Sequence, residues 1–278
     1  MPGVDGLEQV AVEPPFGAPS DRIAIGTLSG RRVAFLPRHG AGHRILPGEL
    51  PQRANIWALK SLGVERIISV SAVGSLNEEI APLDILIPDQ LIDRTGGNRP
   101  ATFFGRGLVA HIAFDEPFCG PMSAVLHAAA EASPARAHRG GTMVVIEGPA
   151  FSTRAESELY RSWRADVIGM TAVPEAKLAR EAGLCYATLA CVTDYDTWHD
   201  SHGAVTADMI IDNLRHNVAT AQEIVARAIA DAPAERACVC ARALESALVT
   251  AMHLVPDYVK RDLAPILAPY LQPQEPVR

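Results

Sequence analysis

The 278-residue sequence is poor in aromatic residues, at 5%, and contains only five cysteines. It has no long run of Lys or Arg, and its net charge is −7. That balance argues against a protein that tracks nucleic-acid phosphates. No apolar stretch approaches the roughly 18 residues of a membrane helix. The first residues show no charged segment leading into an apolar one. Neither a membrane span nor a secretory leader is expected. Cys185 and Cys191 fall in an apolar run and read as buried thiols. Cys238-x-Cys240 is too sparse for a zinc site alone; it reads as tail packing or a local disulfide. A reducing cytoplasm is the expected compartment. What the chain does have is 48% apolar and 21% charged residues, a globular composition long enough for a sizeable core.

Strand and helix signals alternate. RRVAFLP (31–37) reads as a strand and PQRANIWALKSLG (51–63) as a helix, with Ala54, Trp57, Ala58 and Leu62 on one face and Gly63 past its end. RIISVSA (66–72), DILIP (84–88), the start of GTMVVIEGP (141–149) and DVIGM (166–170) read as strands. FSTRAESELYRSW (151–163) reads as a helix with Ser152 as its N-cap. AVPEAKLAREAG (172–183) reads as a helix with Pro174 in its first turn and Gly183 at its end. CYATLACV (185–192) is a buried strand. A last long helix starts near Thr206, and the Pro-punctuated stretch after Ala232 reads as a small helical appendage, 233–278. The alternation predicts an α/β fold with a central, largely parallel or mixed sheet flanked by helices.

In open α/β sheets, ligands sit beyond the carboxyl ends of strands. Four such ends carry suitable groups: PRHGAGH (37–43), SAVGSL (71–76), GMTAVPE (169–175) and TDYDTW (193–198). The cationic groups and small-residue turn suit a phosphate or similar oxyanion. The carboxylates Asp194 and Asp196 suit ring nitrogens. Charges seldom stand at the end of a core strand unless something satisfies them. By itself, a D-x-D there also fits a metal site or a solvated turn. His43, His199 and His202 read as solvated loop residues.

At this point the sequence resembles the 5′-methylthioadenosine phosphorylase branch of the purine nucleoside phosphorylase family. The matching pieces include PFGAPSD (15–21), RANIWAL (53–59), SAVGSLNEEIAP (71–82), DQLIDRT (89–95), HIAFDEPFC (111–119), GTMVVIEGPAFSTRAES (141–157), DVIGMTAVPEAKLAREAGLCYA (166–187) and VTDYDTW (192–198). They run in family order from about residue 15 to about residue 230. The resemblance implies a single α/β domain over 1–278, usually a trimer or a dimer of trimers. It also implies phosphate-dependent cleavage of 5′-methylthioadenosine to adenine and 5-methylthioribose 1-phosphate, in purine and methionine salvage. No metal or other cofactor is implied; inorganic phosphate is the co-substrate. On the resemblance, Arg38, His39, Ser71, Ala72 and Thr171 face phosphate. Met170 lies under the ribose, Phe151 and the adjacent Ser152 meet the base, and Val73 and Gly74 line the purine. Asp194 and Asp196 read adenine, with Asp194 the general acid. Ala207, Ile210 and Ile211 form an apolar cup for the methylthio group, and His111 is offered by a neighbouring subunit. Family members open with a strand and a glycine-rich phosphate turn. MPGVDGLEQVAVEPPFG aligns after that turn, so the expectation is that both are missing before Met1.

The chemistry fits these roles. The C1′–N9 bond breaks through an oxocarbenium-like state, and adenine leaves more readily when N7 is protonated. A free Asp titrates at about 3.9; burial beside a second carboxylate would raise that value. Asp rather than Asn at these positions favours 6-amino over 6-oxo bases. Alternative readings are a phosphorylase of 6-oxopurine nucleosides or methylthioinosine, a phosphate-independent nucleosidase, and a weakened nucleoside-binding homologue.

Overall fold

The structure, a computed structural model, describes residues 1–199 and 207–271; the side chains of 207–212 and 214–216 lie outside that description. Three strands form a small antiparallel sheet: β1 (Asp5–Val10), β2 (Ile23–Leu28) and β3 (Arg31–Phe35). Helix α1 (Gln52–Ser61) follows, then β4 (Arg66–Ser75), β5 (Ile85–Ile87) and β6 (Gln90–Arg94). Next come α2 (Gly120–Glu131), β7 (Ala137–Arg139), β8 (Thr142–Ile146), α3 (Arg154–Ser162), β9 (Val167–Gly169), α4 (Ala172–Glu181) and β10 (Cys185–Tyr195). The long α5 (Ala207–Asp231) leads to short helices, among them α6 (Asp257–Asp262) and α7 (Ala264–Leu267).

β4 to β10 form one mixed sheet in the order β6-β8-β9-β4-β10-β5-β7. β10 is its centre. Its residues are buried along almost the whole length, which is why it reads as an unbroken apolar run. Successive side chains leave a strand on opposite faces. Cys185, Ala187, Leu189 and Cys191 accordingly join α2 and α5 residues such as Leu126, Ala129, Ile224 and Ala228. Tyr186 turns the other way, into a cluster with Ile56 of α1, Leu178 of α4, and Leu263 and Leu267 from the C-terminal helices. Residues after Ala232 thus close one face of the core. Among the described residues, no helix is long and apolar enough to cross a membrane.

β4 pairs along its length with β10 in parallel register. On its other side β9 reaches only Gly74 and Ser75, in antiparallel register. Arg66–Val70 of that strand and Arg31–Phe35 of β3 line an open cavity of about 1150 Å³.

The boundaries read from the sequence hold for α1, α4 and β10 within a few residues. Gly63 does end α1, with φ +81°, where a side chain would be strained. One cap differs. Thr153, not Ser152, caps α3: its hydroxyl accepts from the Glu156 amide at 3.2 Å, and Glu156 Oε2 accepts from the Thr153 amide at 2.8 Å. The reciprocal pair needs a Glu three residues on, and only Thr153 has one.

Candidate active site

All four strand ends singled out in the sequence meet around β4. The pairing of β10 with β4 is regular from Cys185 to Val192, then jumps: Val192 faces Val73, but Asp194 faces Gly74. Thr193 is the extra residue of a bulge. Bulges bend a strand and re-aim its side chains. Here the bulge turns Asp194 towards β4, and Asp196, two residues on, follows on the same face. Gly74 leaves the room. A Cβ there would stand 3.0 Å from Asp194 Oδ1, 3.2 Å from Ile168 Cγ2 and 3.5 Å from Asp196 Cβ. Helix α5 supports the bulge from behind, with Asn213 and Asn217 side-chain amides donating to the Thr193 and Val192 carbonyls.

Both aspartates are buried, each 5% exposed. Burial pushes the Asp194 carboxyl up to about 6, and the neighbouring Asp196 charge adds to the rise. The Thr193 hydroxyl lies 2.7 Å from Asp194 Oδ2 and 3.2 Å from the Val73 carbonyl. It has one proton for two acceptors. Donated to Asp194, that proton favours the carboxylate and offsets part of the rise that burial causes. Burial also raises Asp196 above its ordinary range. Asp196 Oδ2 is buried without a hydrogen-bond partner among the described residues, and so is the Ser152 hydroxyl, while the Ser157 hydroxyl near Asp196 offsets part of its rise. Such atoms are costly to leave unpaired, so they mark places where a polar ligand edge would be held. Trp198 folds back beside them, its Nε1 donating to the Ser75 carbonyl at 2.8 Å, with the Arg161 guanidinium over its ring.

The cationic side lies further back along β4. Arg38 donates to Ser69 Oγ, Glu175 Oε2, Ser71 Oγ and the Val70 carbonyl, at 2.7 to 3.2 Å. Burial works against its charge, but Glu175 and Tyr186 together outweigh that and hold the guanidinium above its ordinary value. Tyr186 donates its hydroxyl to the same Glu175 oxygen at 2.6 Å. Arg38 Nε–H is left without a partner among the described residues. His39 Nδ1 lies 2.9 Å from the Ile45 carbonyl, so Nδ1 carries the proton. Burial, with Arg38 and His43 nearby, keeps its pKa below the usual value. The neutral ring therefore offers Nε2 as an acceptor. Thr171 is buried at the start of α4, and its carbonyl accepts from Gln52. Ser71 and Gly74 are three residues apart on one strand, about 10 Å. The Arg38 guanidinium and the carboxylate pair stand at about that separation on one sheet.

A family model described as the phosphorylase superfamily matches residues 2–230. The chain belongs to the phosphorylase superfamily. Within it, the chain is 54% identical to the S-methyl-5′-thioadenosine phosphorylase of Geobacter sulfurreducens, over 98% of this chain and 95% of that one. It is 58% identical to the enzyme of the same name from Gloeobacter violaceus, over 94% and 89% of the two chains. Among solved structures it resembles a methylthioadenosine phosphorylase from an antarctic soil metagenomic library, with a TM-score of 0.91, 49% identity, and 96% and 94% of the chains covered. It also resembles the methylthioadenosine phosphorylase of Schistosoma mansoni in complex with adenine, with a TM-score of 0.79, 35% identity, and 95% and 93% covered.

The superfamily fold brings Arg38, Ser71, Gly74, Asp194 and Asp196 together through the contacts above, with His39 beside Arg38 and Ala72 and Val73 on the intervening strand. Met170 lies under Gly148: a Cβ on that glycine, at φ +66°, would meet Met170 Sδ at 2.5 Å. Phe151 stands beside the buried Ser152 and is 44% exposed. His111 is exposed in the segment tied down by the Ala110–Leu248 bridge. The side chains of Ala207, Ile210 and Ile211, and all of His202, lie outside the described residues. His43 is exposed in a turn and His199 is half-buried in irregular backbone, and each carries a ring contact. His43 stacks on His39, with ring centres 4.2 Å apart, and His199 stacks on Tyr195, with ring centres 4.5 Å apart.

Sequence reasoning passed over three residues. Glu175 sits inside the quoted GMTAVPE end and anchors Arg38. Ser69 holds the same guanidinium. Buried Arg99 bonds Glu147 Oε1 and the carbonyls of Glu147, Met170 and Val173, tying the strand end at Met170 to the one before Phe151. A carboxylate within a buried strand end was the available signal for Glu175; nothing local marks Arg99.

Proposed function

We propose that the chain is a pentosyltransferase that cleaves the N-glycosidic bond of 5′-methylthioadenosine with inorganic phosphate, releasing adenine and 5-methylthioribose 1-phosphate. The observation that carries this is the buried Asp194–Asp196 pair at Gly74, with one carboxyl raised to about 6. Two close, buried carboxyls favour sharing one proton. With that proton on Asp194, the acid can protonate N7 of the leaving purine while Asp196 accepts from the exocyclic amine. The C1′–N9 bond breaks as N7 takes the proton, and a phosphate oxygen bonds to C1′. Phosphate is both nucleophile and counter-charge to the ribosyl cation. Arg38 Nε–H, the Thr171 hydroxyl and neutral His39, accepting from a phosphate hydroxyl at Nε2, are the groups offered to it. No chemical step calls for a metal or an organic cofactor.

A substrate panel tests this. With phosphate present, 5′-methylthioadenosine is expected to react faster than inosine by orders of magnitude, because a 6-oxo base leaves the Asp196 carboxylate facing another acceptor. Faster cleavage of inosine, or equal cleavage without phosphate, would sink the assignment.

The active form we propose is a cyclic trimer, alone or paired as a dimer of trimers, working in the cytoplasm. Its support is the position of His111 beside two exposed apolar residues, Val109 and Val249, which are hydrogen-bonded to each other. None of the five cysteines forms a disulfide, the state that a reducing compartment maintains. Sedimentation with activity measured across the boundary checks the assembly; a fully active monomer refutes it.

A further inference from the structure

Four of the five cysteines meet at the opposite end of β10 from Asp194. Cys119 is the N-cap of α2, Cys185 is the first residue of β10, and Cys238 and Cys240 flank the start of the 3-10 helix Val239–Arg242. Their four Sγ atoms all lie within 4.8 Å of one another, and Cys185 and Cys238 are 3.3 Å apart. None is bonded to another. Zinc bound by thiolates has Zn–S near 2.3 Å, so a tetrahedral set has its sulfurs about 3.8 Å apart. The observed spread brackets that value and is too tight to enclose a multi-iron cluster. Three of the sulfur-bearing residues are buried and the fourth, Cys238, is half-buried.

The surroundings carry the charge argument. Four thiolates around a divalent cation leave a net charge of −2. Arg180 and Arg236 line a surface cavity of about 650 Å³ together with Cys119, Cys238 and Cys240. Arg180 is buried, and its hydrogen bonds go to the carbonyls of Ala113 and Glu116. A buried cation bonded only to neutral groups is expensive; an anionic centre next to it removes that expense. Cys119 stands at a helix N-terminus, which favours the thiolate. The cavity gives an ion a way in. Cys191, the fifth cysteine, faces the Leu189 carbonyl instead.

We propose that Cys119, Cys185, Cys238 and Cys240 form a four-thiolate zinc site that clamps the C-terminal helical segment onto the base of β10 and α2. The site is structural. Cys185 and Asp194 are nine residues apart on one strand, about 30 Å, too far for the ion to touch the reaction. What it does is fix the register of residues 238–240 against the core, where Leu244, Val259 and Leu263 then close over Tyr186. Each ligand must give up a proton as the metal binds.

The test uses the whole chain, produced with zinc in the medium and purified without oxidant. Elemental analysis is expected to find one zinc per chain, and cobalt exchanged for it should show thiolate-to-cobalt charge transfer and the strong visible bands of a tetrahedral sulfur site. Cys240→Ser should drop the metal to background, while Cys191→Ala keeps it. Removing zinc from the wild-type chain should lower its melting temperature. Should Cys240→Ser not fold, the cobalt spectrum of the wild-type chain decides alone. Absence of zinc together with no cobalt spectrum overturns the proposal. So does a mass four hydrogens lower in freshly isolated protein, which would mean that the thiols are paired as two disulfides.

Discussion

Replacing Asp194 by Asn tests the acid and the fold together. Asn keeps the size and can still hydrogen-bond, but it has no proton to give at N7. The expected loss in turnover is roughly 10²–10⁴-fold, or about 3–5 kcal/mol in the barrier. A carboxyl with a pKa of about 6 is roughly one-tenth protonated at pH 7 and one-hundredth at pH 8. The wild-type kcat/KM should therefore fall about tenfold per unit above pH 6, and that limb should vanish in the variant. Wild-type stability should fall over the same rise in pH, and the variant, less active, should be the more stable. A carboxyl whose pKa is raised on folding holds its proton more tightly in the folded state. Folding stability is full below the unfolded value of 3.8, falls as the pH climbs through about 6, and stays low above that. A rise of about two units corresponds to about 3 kcal/mol. Asp194→Asn removes the buried charge, so it should melt higher than the wild type at pH 8, with the advantage gone near pH 4. Initial rates of 5′-methylthioadenosine phosphorolysis from pH 5 to 9, with melting curves at the same points, read both effects. A variant that keeps the wild-type limb, or melts lower at pH 8, refutes the reasoning. A nucleoside with a better leaving group should lose less; an equal loss on every substrate also counts against the assignment.

Two further substitutions follow from the same contacts. Gly74→Ala forces a methyl to within 3.0 Å of Asp194 Oδ1; turnover should drop by up to ~100-fold through misplacement of the acid, with folding measured by denaturant changed far less. Glu175→Gln strips the counter-charge from Arg38, which should destabilise the chain by about 3 kcal/mol. Added phosphate should then raise the melting temperature more in the variant than in the wild type, because it restores a negative charge beside the guanidinium; an equal rise in both would remove Arg38 from the phosphate site.

Much of this was legible because the signals are local. β10 announces itself as an apolar run, since it is buried on both faces. α1 and α4 are bounded by Gly63 and Gly183, both at positive φ. Asp194 and Asp196 stand out because carboxylates at the end of such a strand are rare. The α3 cap was legible too: Glu156 three residues after Thr153 is the signature, and weighing Ser152 alone missed it. β1 escaped notice because its side chains are mostly exposed and carry no alternation. The four-cysteine cluster has no motif, since Cys119 and Cys185 come from distant elements and only the fold joins them to Cys238 and Cys240. The same holds for Arg99 and for the Arg38–Glu175 pair. The bulge at Thr193 is invisible for a different reason. It exists only relative to β4, more than 100 residues earlier in the chain, and an inserted residue leaves no mark of its own.

That bulge explains why these aspartates stand where they do. A regular strand would continue the alternation of β10, sending neighbouring side chains to opposite faces with no shift against β4. Adding Thr193 moves everything beyond it by one position relative to its partner, so Asp194 meets Gly74. A bulge alone would drive the carboxylate into a β4 side chain; a glycine alone would leave a gap beside a misaimed residue. Together they seat the acid against backbone on a central strand, backed by Asn213 and Asn217 from α5. Seating it there also excludes water, and it is the loss of water that lifts its pKa to about 6. The burial that makes β10 a good core strand thus also sets the proton affinity of the group at its end. If Asp194 is the acid, Asn213→Ala, which removes the bond to the Thr193 carbonyl, should lower kcat with KM little changed; unchanged kcat in steady-state rates would count against this.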